Sequence, residues 1–266
     1  MLTVLLPENE YSPALRALLS PLLPPGSVIL DPDESLDGLQ NRRLLFAVAL
    51  DEGGCNQSYY RMLSRLRRSE TLLRGCVAGC VVTGVGEFYT KDVARDMVFA
   101  ANQAGCAFLG RPLVEATGSL RNFRTQALVG GVDEETAFRA AISELLGRLT
   151  DWHKPAPIRR CDALVMLCAN YNDALAANLT ACINRLTALF RQTRMYDKRL
   201  FGLVVSGYSG GDLLARQLIS ALNMNKSFFL PPHFCLLETA NERGSLIKLP
   251  GIEDQALSFA RQLAQD

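Results

Sequence analysis

Two stretches in the second half of the chain restrict the fold more than anything else in the sequence. The first is Asp162-Ala-Leu-Val-Met-Leu-Cys-Ala169, followed by Asn170-Tyr-Asn-Asp173 and a long apolar-striped helical pattern. The second is Leu200-Phe-Gly-Leu-Val-Val205, followed by Ser206-Gly-Tyr-Ser-Gly-Gly-Asp212 and another helical pattern. Strand-length runs this apolar read as strands buried on both faces. Strands that alternate with helices imply a parallel sheet with helices on its faces. In such open α/β sheets, ligands bind at the carboxyl ends of the strands. Each of these two strands delivers a polar loop to that edge.

The alternation extends over the whole chain. Leu2–Leu6, Ser27–Leu30, Leu44–Leu50 and Gly75–Thr83 read as strands, and Leu113–Phe123 as a short strand or loop. Helical patterns cover Tyr11–Leu23, Gln57–Arg68, Lys91–Ala104 and Glu134–Leu149. Ser12-Pro13 supplies cap and first-turn chemistry, while Thr90 and Asp133 stand at cap positions. Asp151–Ile158, with Trp152, His153, Pro155 and Pro157, reads as a linker. Beyond it come strand 162–169, helix 174–191, strand 200–206, helix 211–223, strand 234–239 and helix 252–264. In helix 174–191, Leu175, Leu179, Cys182, Leu186 and Leu189 recur at three- and four-residue spacings and form one apolar face. The expected organisation is an N-terminal α/β domain over 1–150 and a second parallel-sheet domain over 151–266.

Composition excludes several classes. A net charge of +1 gives no surface for nucleic acid or an anionic membrane. No apolar stretch approaches the ~20 residues that span a bilayer. Met1-Leu-Thr-Val-Leu-Leu-Pro7 lacks a basic start and reads as a first strand rather than a signal peptide. The 8 cysteines lie mostly in apolar runs and form no disulfide framework. Cys76 and Cys80 have no second pair or nearby His for zinc. Buried reduced thiols point to a cytoplasmic protein.

The two loops carry the chemistry. Gly207, Gly210 and Gly211 allow a ligand close to the backbone, and a helix start adds partial positive charge. Ser206–Gly211 is neither a Walker A loop nor a dinucleotide fingerprint. Ser206 and Ser209 lack the elbow of a serine hydrolase. At the neighbouring strand end, Ala169, Asn170, Tyr171 and Asn172 offer amides and a ring that stacks on planar ligands. Together the loops suit a flat aromatic ligand such as a flavin. His233 and His153 read as structural, and the arginines of 61–68 as a solvated helix face.

The stretch 161–241 resembles the flavodoxin-like NADPH-dependent FMN reductase family. The residues that carry the resemblance are Cys161-Asp-Ala-Leu-Val-Met-Leu-Cys-Ala-Asn-Tyr171, the helix Ala176-Ala-Asn-Leu-Thr-Ala-Cys-Ile-Asn-Arg-Leu186, and Val204-Val-Ser-Gly-Tyr-Ser-Gly-Gly211. The resemblance implies a flavodoxin-like fold and FMN bound beside Ala169–Asn172 and Ser206–Gly211, with Tyr171 and Tyr208 as ring neighbours. It further implies NAD(P)H as reductant, a small-molecule electron acceptor, no side chain acting as acid or base, no metal, and a homo-oligomer, most simply a dimer.

One part of the family pattern is absent. The family holds the FMN phosphate in a Ser/Thr/Asn-rich loop between its first strand and first helix, ahead of the strand at Asp162. A βαβ unit needs roughly 30 residues, and only Asp151–Arg160 separate the preceding helix from Cys161. Three readings stand side by side. Asp51-Glu-Gly-Gly-Cys-Asn-Gln-Ser58 supplies the phosphate loop, although its carboxylates repel an anion; Gly84–Lys91 supplies it or binds another small anion; or flavin binding has been lost and the domain is a non-catalytic scaffold.

Overall fold

The computed structural model describes residues 1–152, 163–192 and 195–264. The linker from His153 onward lies outside the described residues, as do Cys161 and Asp162. The chain divides into two compact units, Met1–Phe108 with Pro112–Trp152, and Leu109–Arg111 with His153–Asp266. Both are α/β.

The first unit runs β1 (Leu2–Leu5), α1 (Ser12–Leu19), β2 (Val28–Leu30), β3 (Arg43–Leu50), α2 (Gln57–Leu66), β4 (Val77–Gly84), α3 (Thr90–Gln103), β5 (Ala107–Ala116), α4 (Arg124–Gly130) and α5 (Glu134–Thr150). Its sheet has the order β2-β1-β3-β4-β5, with every pair parallel. This is a doubly wound order with its switch point between β1 and β3. Leu44–Leu50 of β3 are all buried, as a strand covered on both faces must be. Asp133 caps α5 by accepting from the Thr136 amide at 2.6 Å, as its residue type predicts.

Two local expectations need correction here. Thr90 does not cap α3; Tyr89 holds the cap position in a left-handed conformation (φ 72°), and Thr90 is already helical. The Thr90 hydroxyl instead donates to the Glu115 carboxylate at 2.9 Å. The last strand also begins at Ala107, ahead of the expected Leu113. Gly110-Arg-Pro112 hides it, because those residues break strand patterns. The structure absorbs them as an irregularity between Ala78 and Cys80 of the neighbouring strand, with Arg111 at φ 53°. β5 is the sheet edge, where a proline is tolerated.

The second unit runs β6 (Ala163–Tyr171), β7 (Ala174–Leu175), α6 (Ala177–Gln192), β8 (Arg199–Ser206), α7 (Gly211–Leu218), β9 (Cys235–Thr239) and α8 (Ile252–Ala264). Its sheet has the order β7-β6-β8-β9. β6, β8 and β9 are parallel, and β7 is a short antiparallel addition at the end of β6. One sheet face is closed by α7: a Cβ on Gly202 would meet Leu218 Cδ1 at 3.2 Å, and one on Gly211 would meet Val204 and Leu237. Met166 and Cys168 point to that face and are buried. On the opposite face Phe201 packs edge-on against Phe259 of α8, 5.8 Å between centroids. β6 was expected to be buried on both faces. It instead alternates, with Val165 and Leu167 exposed. The expected stripe on α6 shifts as well. Leu175 belongs to β7, Cys182 is exposed and Ile183 is buried, because the helix starts only at Ala177.

Candidate functional site

In the second unit, the sheet register sets three strand ends side by side. Asn170 pairs with Ser206, and Ser206 with Thr239. The expected residues Ala169, Asn170 and Tyr171 stand inside β6, and only Asn172 lies in the loop proper. Asn172 and Asp173 both have positive φ, 51° and 56°. They form the two central positions of a hairpin turn leading into β7, and Asn and Asp are the residues that enter this region most readily. The turn is pinned to α7, since Gln217 Nε2 donates to the Asp173 carbonyl at 2.9 Å and the Leu175 amide donates to Gln217 Oε1 at 3.3 Å.

The second loop meets the first. Asn170 Nδ2 donates to Ser206 Oγ at 3.2 Å and to Asp173 Oδ1 at 3.4 Å. A carboxylate accepts only, so this contact fixes which way the amide points. The Asn170 carbonyl oxygen is then buried without a partner among the described residues. Gly210 has φ 104°, and a Cβ there would sit 2.3 Å from Asp173 Oδ1, so glycine is required at this position. Gly210 stands at the start of α7, which has no side-chain cap. Gly207 lies against Asn241, whose Nδ2 donates to the Tyr208 hydroxyl at 3.3 Å. Tyr208 is 77% exposed, and Ser209 is exposed beside it. The Tyr171 ring lies outside what the structure describes.

Of the site residues expected from sequence, Asn170, Ser206, Gly207, Tyr208 and Gly210 are thus brought into one cluster. Asp173, Gln217 and Asn241 belong to it and were missed. Asn241 was legible in principle, because it follows the third parallel strand of the same edge. Asp173 and Asp212 bring negative charge to the start of α7, and Asp212 is paired with Arg216 at 2.9 Å. A planar ring with a polar edge suits this cluster. A phosphate does not, because the helix start that would receive it is lined by carboxylates.

The phosphate loops proposed within the first unit are closed by the chain's own groups. In Asp51–Ser58, Asp51 Oδ1 accepts from the Cys55 amide at 2.8 Å, and Asn56 caps α2 through the Tyr59 amide at 2.9 Å. In Gly84–Lys91, the Glu87 carboxylate takes the Ser119 amide at 2.8 Å and pairs with Arg121 at 2.9 Å. These bonds hold the Glu87 carboxyl below its ordinary pKa, the Ser119 bond contributing most. An internal carboxylate therefore already holds the donors that an external anion would need.

Burial disfavours the thiolate form of the core cysteines. Burial pushes Cys168 up to about 11 and raises Cys80, Cys106 and Cys235 well above the ordinary thiol range. Among the described residues, no group of His, Cys, Asp or Glu is arranged to hold a metal ion, and no helix is long and apolar enough to cross a membrane.

These features define an open-sheet α/β domain with two polar loops at its carboxyl edge. Residues 155–242, about a third of the chain, match the model of the NADPH-dependent FMN reductase family. No curated protein and no solved structure matches the chain.

Proposed function

We propose that the domain at the second strand cluster binds the ring of FMN and serves an oxidoreductase that draws electrons from NAD(P)H and delivers them to a small-molecule acceptor. The observation that carries this reading is the Asn170 carbonyl oxygen. Among the described residues it is a buried acceptor with no partner, at the carboxyl edge of the sheet in the matched stretch. Buried polar groups left unpaired cost about 1–3 kcal/mol, and a ring N–H of a flavin is a donor of the right kind to remove that cost. A bound flavin supplies the redox chemistry, while the protein binds, orients and screens it. In this arrangement Asn170 and the Ser206–Gly211 backbone hold the ring edge, and the exposed Tyr208 stacks on its face.

Purified protein tests the reading directly. Flavin absorbs at roughly 450 nm, and its fluorescence is quenched on binding an aromatic-lined site. The expected result is saturable FMN binding that weakens at least tenfold in Asn170→Ala, together with NAD(P)H oxidation that depends on FMN. The contact of Asp173 and Asn170 with Gly210 favours a second reading, in which the cluster is closed on itself and the domain is a non-catalytic scaffold. Failure to bind FMN, riboflavin or any other flavin would establish the second reading in place of the first.

A further inference from the structure

The first unit carries a cavity of its own at the carboxyl edge of its sheet, beside the switch point between β1 and β3. One wall is α1 and the turn before it. Tyr11, Ala14, Leu15 and Leu18 recur at three- and four-residue spacings, so they share a helix face. The opposite wall is the end of β3, at Leu50, and the end of β4, at Thr83 and the following Val85. These groups enclose about 210 Å³. The space exists because the centre of the helix face is Ala14, the smallest side chain on it. A cavity of about 150 Å³ admits benzene, so this one has room for a single ring and a short arm. Its lining is apolar but for the Tyr11 and Thr83 hydroxyls, and the Thr83 hydroxyl makes no hydrogen bond among the described residues. An apolar hollow with a few polar groups, at a switch point, is the usual form of a small-molecule site.

The charges at the mouth have one sign. The Tyr11 hydroxyl donates to the Glu52 carboxylate at 2.5 Å. That bond, with burial and the nearby charges of Glu10 and Asp51, pushes the Tyr11 hydroxyl up to about 12. Three carboxylates thus gather around one edge of the tyrosine. The cation of α1, Arg16, is paired with Glu8. The amides that could receive an anion at the helix start are held by the Asn9 side chain, which accepts from Tyr11 and Ser12. An anionic ligand would meet repulsion and no free donor, while an ammonium would meet carboxylates and the face of a tyrosine ring.

We propose that the cavity between α1 and the ends of β3 and β4 binds a small organic amine, an aromatic or branched apolar body with a short ammonium arm. The apolar body fills the space over Leu15, Leu18 and Leu50. The ammonium lies at the mouth, against Tyr11 and the carboxylates of Glu10 and Glu52. This site lies in the first unit and is separate from the Asn170–Ser206 cluster.

Ligand-observed NMR titration of the full chain with phenethylamine tests the site, with 2-phenylethanol as the neutral probe of equal shape and phenylacetate as the anionic one. The expected result is saturable phenethylamine binding with a dissociation constant on the order of 1 mM, as befits a ligand of so few atoms. It should be about fivefold tighter than 2-phenylethanol, the value of one or two exposed charge contacts, and phenylacetate should bind weakest. Glu10 and Glu52 are exposed, and glutamine at 52 still accepts from Tyr11, so Glu10→Gln with Glu52→Gln should fold normally and bind the amine no better than the alcohol. Ala14 is also exposed, and Ala14→Trp should fill the cavity and abolish binding of both probes without lowering the melt followed by circular dichroism. Asn170→Ala should leave phenethylamine binding unchanged. The inference is overturned by the absence of saturable binding up to about 20 mM, by equal affinity for amine and alcohol in the unaltered chain, or by an amine preference that survives the double glutamine variant. Binding that persists in a folded Ala14→Trp protein also overturns it, because the probe then sits elsewhere.

Discussion

Replacing Asn9 by alanine tests whether the first strand–helix turn is structural or a ligand site. In a doubly wound sheet, the turn after β1 sits at the switch point where phosphates are commonly held by helix-start amides. Here the Asn9 side chain holds those amides. Its Oδ1 accepts from the Tyr11 amide at 3.0 Å and from the Ser12 amide and hydroxyl at 2.9 Å each. Its Nδ2 donates to the Ala49 carbonyl at 2.9 Å and ties the turn to the end of β3. Loss of the helix-start acceptor costs about 1 kcal/mol, and loss of the bond to β3 about another 1 kcal/mol. The total stays near 2 kcal/mol because Ala49 O also accepts from Asn56 Nδ2 at 2.9 Å, and Ser12 Oγ also donates to Pro7 O. For a unit of this size the melting temperature should fall by roughly 4–8 °C. Trp152 is the single tryptophan of the chain and lies in the first unit, where its carbonyl accepts from Arg43 at 3.1 Å. Its fluorescence in a urea titration therefore reports this unit. The argument fails if Asn9→Ala leaves the midpoint unchanged while weakening FMN relative to riboflavin, because the turn would then serve a phosphate.

Three further outcomes follow from the same structure. Gly210→Ala forces a left-handed alanine at about 1–2 kcal/mol and displaces Asp173, so FMN affinity in a fluorescence titration should fall at least tenfold. Lys226 is 8% exposed, and desolvation lowers the pKa of its ammonium. The folded state then binds its proton less tightly than the unfolded one, so stability rises with pH towards the ordinary lysine range, and Lys226→Met should raise the neutral-pH urea midpoint and abolish that rise. Hydrogen bonds from Thr136 hold the Asp133 carboxyl below its usual 3.8. Its contribution is present above that value and lost as pH falls through the lower folded-state pKa, so Asp133→Ala should shrink the difference between neutral and acid melts.

The sequence shows the α/β class, the strand order along the chain and most helices, because buried parallel strands are long apolar runs that stand out against polar surroundings. It hides features that depend on neighbours. The early start of β5 is masked by Gly110 and Pro112, which are acceptable only because the strand is an edge. The β7 hairpin is invisible because Asn172-Asp173 reads equally well as a helix entry. The cluster around Asn170 was half legible. The strand-end rule selects Asn170 and Ser206, but the pairing of Asp173 with Gly210 depends on the conformation of two loops at once. The exposure of Val165 and Leu167 was misread, since an uninterrupted apolar run looks the same whether both faces of a strand are covered or one.

Hydrogen-bond accounting at the helix starts shows where a ligand has room. Every helix leaves its first amides without intrahelical partners, and something must satisfy them. Asn9 serves α1, Asn56 serves α2 and Asp133 serves α5. α3 has no side-chain cap, but the loop ahead of it is bound to Ser119 and Arg121 through Glu87. α7 opens on Gly210 with no side-chain cap, and beside it stands the Asn170 oxygen, which has no hydrogen-bond partner among the described residues. A protein that used its first unit for the phosphate would leave donors open there and close them here. Unused hydrogen-bonding capacity thus stands at the edge of β6 and β8, at the start of α7 and at Asn170. A flavin bound there is held by its ring. Binding that depends on the ring should discriminate little between FMN and riboflavin, and a preference for FMN of a hundredfold or more would refute a ring-only site.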